Sequence, residues 1–134
     1  LTKYNANQLT LGDLIDALEK MPPKATLIFD RFGLCPDGSL DSYRGYYDQL
    51  ALGYRHHPVM TAEELLKSAL SMDGATVYGW KGGEYRVDRS TGIFVAETGD
   101  ATQTMLVAIK RWGSPGYEGA TFCTEQEYNL FDDE

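Results

Sequence analysis

Arg44 stands among three tyrosines in the stretch LDSYRGYY, residues 40–47 of a chain that is otherwise acidic. Tyrosine brings a flat face for stacking and a hydroxyl for hydrogen bonding, while a guanidinium can bind phosphate through two parallel bonds or stack on a base. Gly45 permits a close backbone approach or a bulge. Two uses fit these residue types. Tyr43, Tyr46 or Tyr47 can hold a nucleobase with Arg44 on its phosphate. Alternatively, two of the tyrosines fill the core and Arg44 pairs with Asp41 or Asp48. Two further cations join the first reading. Lys81, in the hairpin-like turn GWKGG, can reach a phosphate or stay solvated. The run Lys110-Arg111-Trp112 ends an apolar strand before a glycine-proline turn and can complete a pocket or mark the strand's polar rim.

Other chemistry finds less support. His56 and His57 are adjacent, and neighbours on an extended chain point to opposite sides, so they do not readily ligate one ion. Asp37, Ser39, Asp41 and Asp48 follow the oxygen spacing of a calcium loop, but Ser42 occupies the position of the loop glycine and Asp48 that of the usual Glu. GWKGG lacks the spacing of a phosphate-binding loop, and no helix follows it. No Ser, Thr or Cys stands in a recognisable motif with either histidine, and with 20 Asp and Glu in the chain, carboxylate pairs such as Asp41 with Asp48 arise by accident. No catalytic residue, metal or cofactor is assigned. Cys35 and Cys123 lack the paired spacing of a thiolate site and read as free thiols, with a single disulfide as the alternative.

Composition bounds the partners. A length of 134 residues suits one domain, 1–134, with an acidic tail from about residue 124. Apolar content of 43% with 24% charged residues is globular, and no window reaches the roughly 18 to 20 apolar residues of a membrane span. A net charge of −8 opposes sequence-independent binding to duplex DNA, which depends on neutralising many phosphates. The chain opens on Leu1 with no secretory pattern, so a cytosolic location is the default expectation and a processed start stays open.

These groups need a scaffold. Leu11, Leu14, Ile15, Leu18 and Met21 recur at helical spacing behind Thr10 and Asp13, and Pro22-Pro23 end the pattern. A short buried strand follows at 25–29, then loop composition from Asp30 to Ser42 and a strand through Tyr46, Asp48, Leu50 and Leu52. Residues 54–58 read as a connector. Thr61 and Glu64 open a second amphipathic helix that Gly74 stops. ATVYGW, EYRV, GIFVA and TQTMLVAIKRW then form a meander of three or four antiparallel strands, and Thr124 with Glu127 suggests a short terminal helix. The fold class is α+β: two amphipathic helices packed on a mainly antiparallel sheet.

The segments TLGDLIDALEKMPPKATLIFD, LDSYRGYYDQLAL and GWKGGEYRVD together resemble small uncharacterised proteins of tailed bacteriophages and prophages over roughly the first two thirds of the chain, with LDSYRGYY the most specific part. That resemblance implies a phage-encoded accessory protein in the host bacterial cytoplasm, with no catalytic residues to carry over. In size and α+β character the chain is further similar to the Thoeris anti-defence sponges that trap cyclic ADP-ribose isomers. By that analogy the expected function is to bind and sequester a nucleotide-type immune signalling molecule without catalysis, at Tyr43, Arg44, Tyr46, Tyr47, Lys81, Arg111 and Trp112, in a homo-oligomer whose subunits share the pocket. The alternative is a protein-binding inhibitor of a host defence complex.

Overall fold

The structure, a computed structural model, describes residues 8–126. Helix α1 (Leu11–Glu19) begins where Thr10 Oγ1 accepts the Asp13 amide at 3.2 Å and the Asp13 carboxylate accepts the Thr10 amide at 2.9 Å. This reciprocal cap satisfies two amide groups that the first helical turn leaves without partners. Strand β1 (Thr26–Phe29) follows the two prolines, and β2 (Cys35–Ser42), β3 (Leu50–Arg55) and the two-residue β4 (Met60–Thr61) lead into α2 (Ala62–Met72). At the start of α2 the Glu64 carboxylate accepts the Thr61 amide at 2.8 Å. Its end is marked by Gly74 at φ +88°. Five strands complete the order: β5 (Thr76–Tyr78), β6 (Glu84–Arg86), β7 (Ile93–Val95), β8 (Thr104–Ser114) and β9 (Tyr117–Gln126).

Seven strands form one sheet in the order β2-β3-β7-β8-β9-β1-β4, mostly antiparallel, with parallel pairs at β3/β7 and β1/β9. No described helix is long and apolar enough to cross a membrane. Because side chains alternate across a strand, the sheet makes two cores. Leu50, Leu52, Ile93, Val95 and Leu106 share one cluster with Leu11, Leu14, Ile15 and Leu18 of α1 and Leu65 and Ala69 of α2. The intervening Ala51, Phe94, Ala96 and Met105 belong to a second cluster, and the large residue that covers it is Tyr43.

Four expectations from the sequence change. The stretch from Asp30 to Ser42 is not all loop: β2 runs through it, because Asp37 accepts both the amide (2.8 Å) and hydroxyl (2.7 Å) of Ser39 around Gly38, and the register shifts there as a bulge. The strand expected from Tyr46 starts only at Leu50, since 43–49 turn back on themselves through Tyr43 N–H to Gln49 O at 2.8 Å. β5 and β6 leave the meander and pair only with each other; Thr76, Tyr78, Glu84 and Arg86 are exposed, so this hairpin lacks the apolar face that would seat it in the main sheet. Thr124 lies in β9, where the Asp30 carboxylate binds its amide and hydroxyl at 2.9 Å each, and caps no helix. Glu127 and the acidic tail beyond it lie outside the described residues.

Two outcomes follow. Tyr43→Ala removes a fully buried ring and is expected to cost about 3–5 kcal/mol in urea denaturation, whereas Tyr43→Phe loses the acceptor of the Gln103 amide and costs about 1–3 kcal/mol. The Glu64 carboxyl is held below its usual value by the Thr61 amide, and the Asp88 carboxyl by the hydroxyl and amide of Ser90. Their folded pKa values lie below the unfolded ones, so their stabilisation is complete above the ordinary carboxylate range of about 4 and is lost as pH falls through the lowered values. Glu64→Gln should therefore narrow the difference between melting temperatures measured at pH 7 and pH 3.

Candidate functional site

LDSYRGYY divides between core and surface. Tyr43 is fully buried, its ring stacked 3.9 Å from Phe94 and its hydroxyl accepting the Gln103 amide at 2.6 Å. Tyr46, half-buried, stacks on the same pair at 5.6 Å from Phe94. These two rings cover the second face of the sheet, and Tyr43, being fully buried, is unavailable to a base. Gly45 is needed for space: a Cβ there would meet the Tyr43 ring at 2.8 Å. Ser42 donates its hydroxyl to Tyr47 O at 2.6 Å, which closes the turn.

Arg44 points the other way. It is exposed, and its Nη1 donates to Gly99 O at 3.3 Å, leaving other guanidinium donors in reach of solvent. Gly99 sits at φ +92° in the turn after β7, and a Cβ on it would touch the Trp80 ring at 3.5 Å. Trp80, in the turn between β5 and β6, donates Nε1–H to Ser42 O at 3.3 Å. Next to it, Gly79 lets the hairpin lie on Tyr47, since a Cβ at 79 would meet Tyr47 Cβ at 3.0 Å. Lys81 is exposed at the tip of this turn. Three loops thus converge: the SYRGYY turn, the GWKGG turn and the turn around Gly99.

Beside these turns lies a cleft of about 430 Å³, walled by Leu40 and Ser42 of β2, Met72 of α2, Val77 and Tyr78 of β5, and Trp80. Its size falls within the roughly 300–1,000 Å³ of small-molecule sites. Asp41 and Thr98 also line it, with the Thr98 hydroxyl donating to Asp41 Oδ2 at 3.0 Å. Tyr78 is 67% and Trp80 50% exposed, so both rings are accessible from solvent. Asp41 is the one charged residue in the wall among the described residues. Arg44 and Lys81 do not line the cleft; they are exposed neighbours of it, Lys81 next in sequence to Trp80 and Arg44 bonded to the carbonyl of Gly99, which follows Thr98.

The sequence placed Arg111 and Trp112 with this group, and the structure separates them. They follow Met105, which pairs with Phe94 beneath Tyr43, by six and seven residues of β8, or roughly 20 Å along an extended strand. Arg111 is spent on Lys20 O and the Glu118 carboxylate, both at 3.1 Å, so it closes the end of α1. Trp112 donates to Thr121 Oγ1 at 3.1 Å and packs on Tyr117. None of Tyr43, Arg44, Tyr46, Tyr47, Lys81, Arg111 and Trp112 lines the cleft, and its polar and aromatic wall residues Asp41, Tyr78, Trp80 and Thr98 were not assigned from the sequence; the signal was an exposed-type aromatic inside a glycine-flanked turn.

The exposed His56 and His57 and the bulge at Asp37 and Ser39 join no larger cluster: among the described residues no three His, Cys, Asp or Glu side chains converge on one point. Cys35 and Cys123 are both free, with the Cys35 thiol donating to Arg55 O at 3.3 Å. No known protein family, curated protein or solved structure matches this chain.

Gly99→Ala places a Cβ on a left-handed backbone and against Trp80. It should cost about 1 kcal/mol or more in urea denaturation and shift the Trp80 emission, measured in a Trp112→Phe background.

Proposed function

We propose that the cleft binds a nucleotide-type small molecule and holds it without chemistry. The observation that carries this reading is a cleft walled by two exposed aromatic residues, Tyr78 and Trp80, and a carboxylate acceptor, Asp41. The exposed cations Arg44 and Lys81 stand on the turns that carry Gly99 and Trp80 alongside it. The rings suit a base, Asp41 suits an exocyclic amine or ring N–H, and the two cations suit phosphate. Ser42, whose hydroxyl is committed to Tyr47 O, has no histidine or cysteine beside it in the wall among the described residues. That arrangement favours capture over turnover.

In this reading the chain is a phage accessory protein acting in the host cytoplasm as a sponge for a nucleotide immune signal. The half-exposed rings leave one side of the cleft open, and a second copy of the chain closing over them would bury the ligand, which supplies the reason for a homo-oligomer. The same exposed Tyr78 and Trp80 favour one other reading, a docking face for a host defence protein, because aromatic side chains dominate interface energetics.

A thermal-shift panel of cyclic nucleotides and ADP-ribose derivatives separates the two. A ligand at one hundred times its dissociation constant should stabilise the fold by about 2.7 kcal/mol, a shift of several degrees. Arg44→Ala should weaken the bound nucleotide about tenfold or more, the worth of one charge-assisted bond, and leave the unliganded melting temperature nearly unchanged because Arg44 is exposed. Absence of any shift across the panel would reject nucleotide binding and leave the protein-docking reading.

A further inference from the structure

At one end of the large sheet Phe29 closes β1, Val95 closes β7, Tyr54 stands one residue from the end of β3, and Thr104 opens β8. These ends coincide because β1, β3, β7 and β9 run one way and β8 the other. Side chains alternate along a strand, so Phe29 follows Leu27, Tyr54 follows Leu52, Val95 follows Ile93 and Thr124 follows Phe122 on the face that packs against α1 and α2. At this end the helices give out. A cavity of about 160 Å³ lies among these side chains, completed by Thr102 and by the turn after β1, and no helix residue lines it among the described residues. Three strands separate β1 from β3 in the sheet, yet Phe29 and Tyr54 share the cavity, so the sheet curls around it. The mouth of a curled sheet is a common place for a small ligand.

The volume limits what fits. Nucleotide-sized sites begin near roughly 300 Å³, whereas an apolar cavity of roughly 150 Å³ holds a single benzene ring. The rings of Phe29, Phe32 and Tyr54, with Leu34 and Val95, supply the apolar wall for such a ring.

The polar groups of the wall set the sign of the ligand. Each threonine hydroxyl has one proton, and all three are committed: Thr102 to Val95 O at 2.6 Å, Thr104 to Thr102 O at 3.4 Å, Thr124 to Asp30 Oδ1 at 2.9 Å. Arg31 is the one charged residue lining the cavity among the described residues. Its Nε stands 3.7 Å from Asp30 Oδ1, an ion pair too long to be a hydrogen bond, and its guanidinium makes no hydrogen bond among the described residues. The Asp30 carboxylate is turned instead to β9, where it accepts the amide and hydroxyl of Thr124 at 2.9 Å each. The Arg31 side chain is nonetheless about two-thirds buried, so it holds its donors against the cavity rather than extended into solvent.

The turn that carries Arg31 is built at some cost. It is closed by Phe29 N–H to Leu34 O at 2.8 Å and Leu34 N–H to Arg31 O at 3.1 Å, and at its tip Phe32 has φ +54° with its side chain 79% exposed. A bulky aromatic in the left-handed region is uncommon, and such outliers gather at ligand sites. Packing within the chain does not require a phenyl ring at so exposed a position.

We propose that this cavity binds a small aromatic carboxylate of the benzoate class, its ring against Phe29, Phe32 and Tyr54 and its carboxylate on the Arg31 guanidinium. A planar fork of N–H donors matches a carboxylate through two parallel bonds.

Calorimetric titration of the full chain with benzoate, with its uncharged analogue benzamide and with acetate tests this. Benzoate should bind saturably, and benzamide about tenfold more weakly or worse, the worth of one charge-assisted bond. Acetate, which has the charge without the ring, should show no saturable binding. Arg31→Gln should weaken benzoate by about the same factor as the loss of charge does and leave benzamide unchanged, while Phe32→Ala should weaken both. Arg44→Ala should leave benzoate binding unchanged, which keeps this site distinct from the nucleotide cleft. Equal binding of benzoate and benzamide, benzoate affinity that survives Arg31→Gln or Phe32→Ala, or no saturable benzoate binding up to tens of millimolar would each overturn the proposal.

Discussion

The Tyr43 ring lies flat on Phe94 at 3.9 Å, and much of the molecule's surface chemistry depends on that contact. The helices α1 and α2 share a cluster with one face of the sheet only. On the other face Ala51, Phe94, Ala96 and Met105 would stand in water without a cover. A buried aromatic of this size contributes several kcal/mol, and it comes with conditions. The chain must turn sharply after Ser42, Gly45 must have no side chain, and the phenol must find a partner, which it does in the Gln103 amide. The interaction that completes the core thereby pins two loops, the turn at 43–49 and the segment ending at Gln103.

Those loops carry the groups proposed above for binding. Arg44 leaves the core because its neighbour Tyr43 enters it, and it meets Gly99 in the pinned loop. The β5–β6 hairpin, which buries little apolar surface of its own, is held down by Trp80 on Ser42 and by Tyr47 beneath Gly79. Binding groups on loops set by a rigid sheet are a common arrangement, because loops can carry side chains that packing does not dictate. The anchoring bonds are few, so the hairpin belongs to the less stable part of the structure.

Local features were legible in the sequence and tertiary ones were not. The cap at Thr10 and Asp13, the Glu64 bond at Thr61 and the glycine after α2 depend on residues three or four apart, and all three formed as expected. The strand β2 was hidden because Asp37-Gly38-Ser39 has turn composition, and a bulge uses the same residues as a loop. The composition of LDSYRGYY could not say which tyrosine is inside, since that depends on whether the sheet's second face is covered by a helix. Arg111 and Trp112 looked alike in type to Arg44 and Trp80, but strand length carries them to the far end of β8, where a helix terminus and a hydroxyl take them up.

The loop at 97–103 carries part of the cleft's wall: it offers Thr98 to Asp41 and the Gly99 carbonyl to Arg44, while the Thr102 hydroxyl ties it back to Val95. In a chain of net charge −8 the average field opposes an approaching anion. An anionic ligand must therefore be held by short-range bonds, which act within the roughly 8 Å over which physiological salt leaves charges unscreened. The nucleotide reading accordingly depends on a few cations, and Arg44 is available as one of them because Tyr43, in entering the core, leaves its neighbour outside.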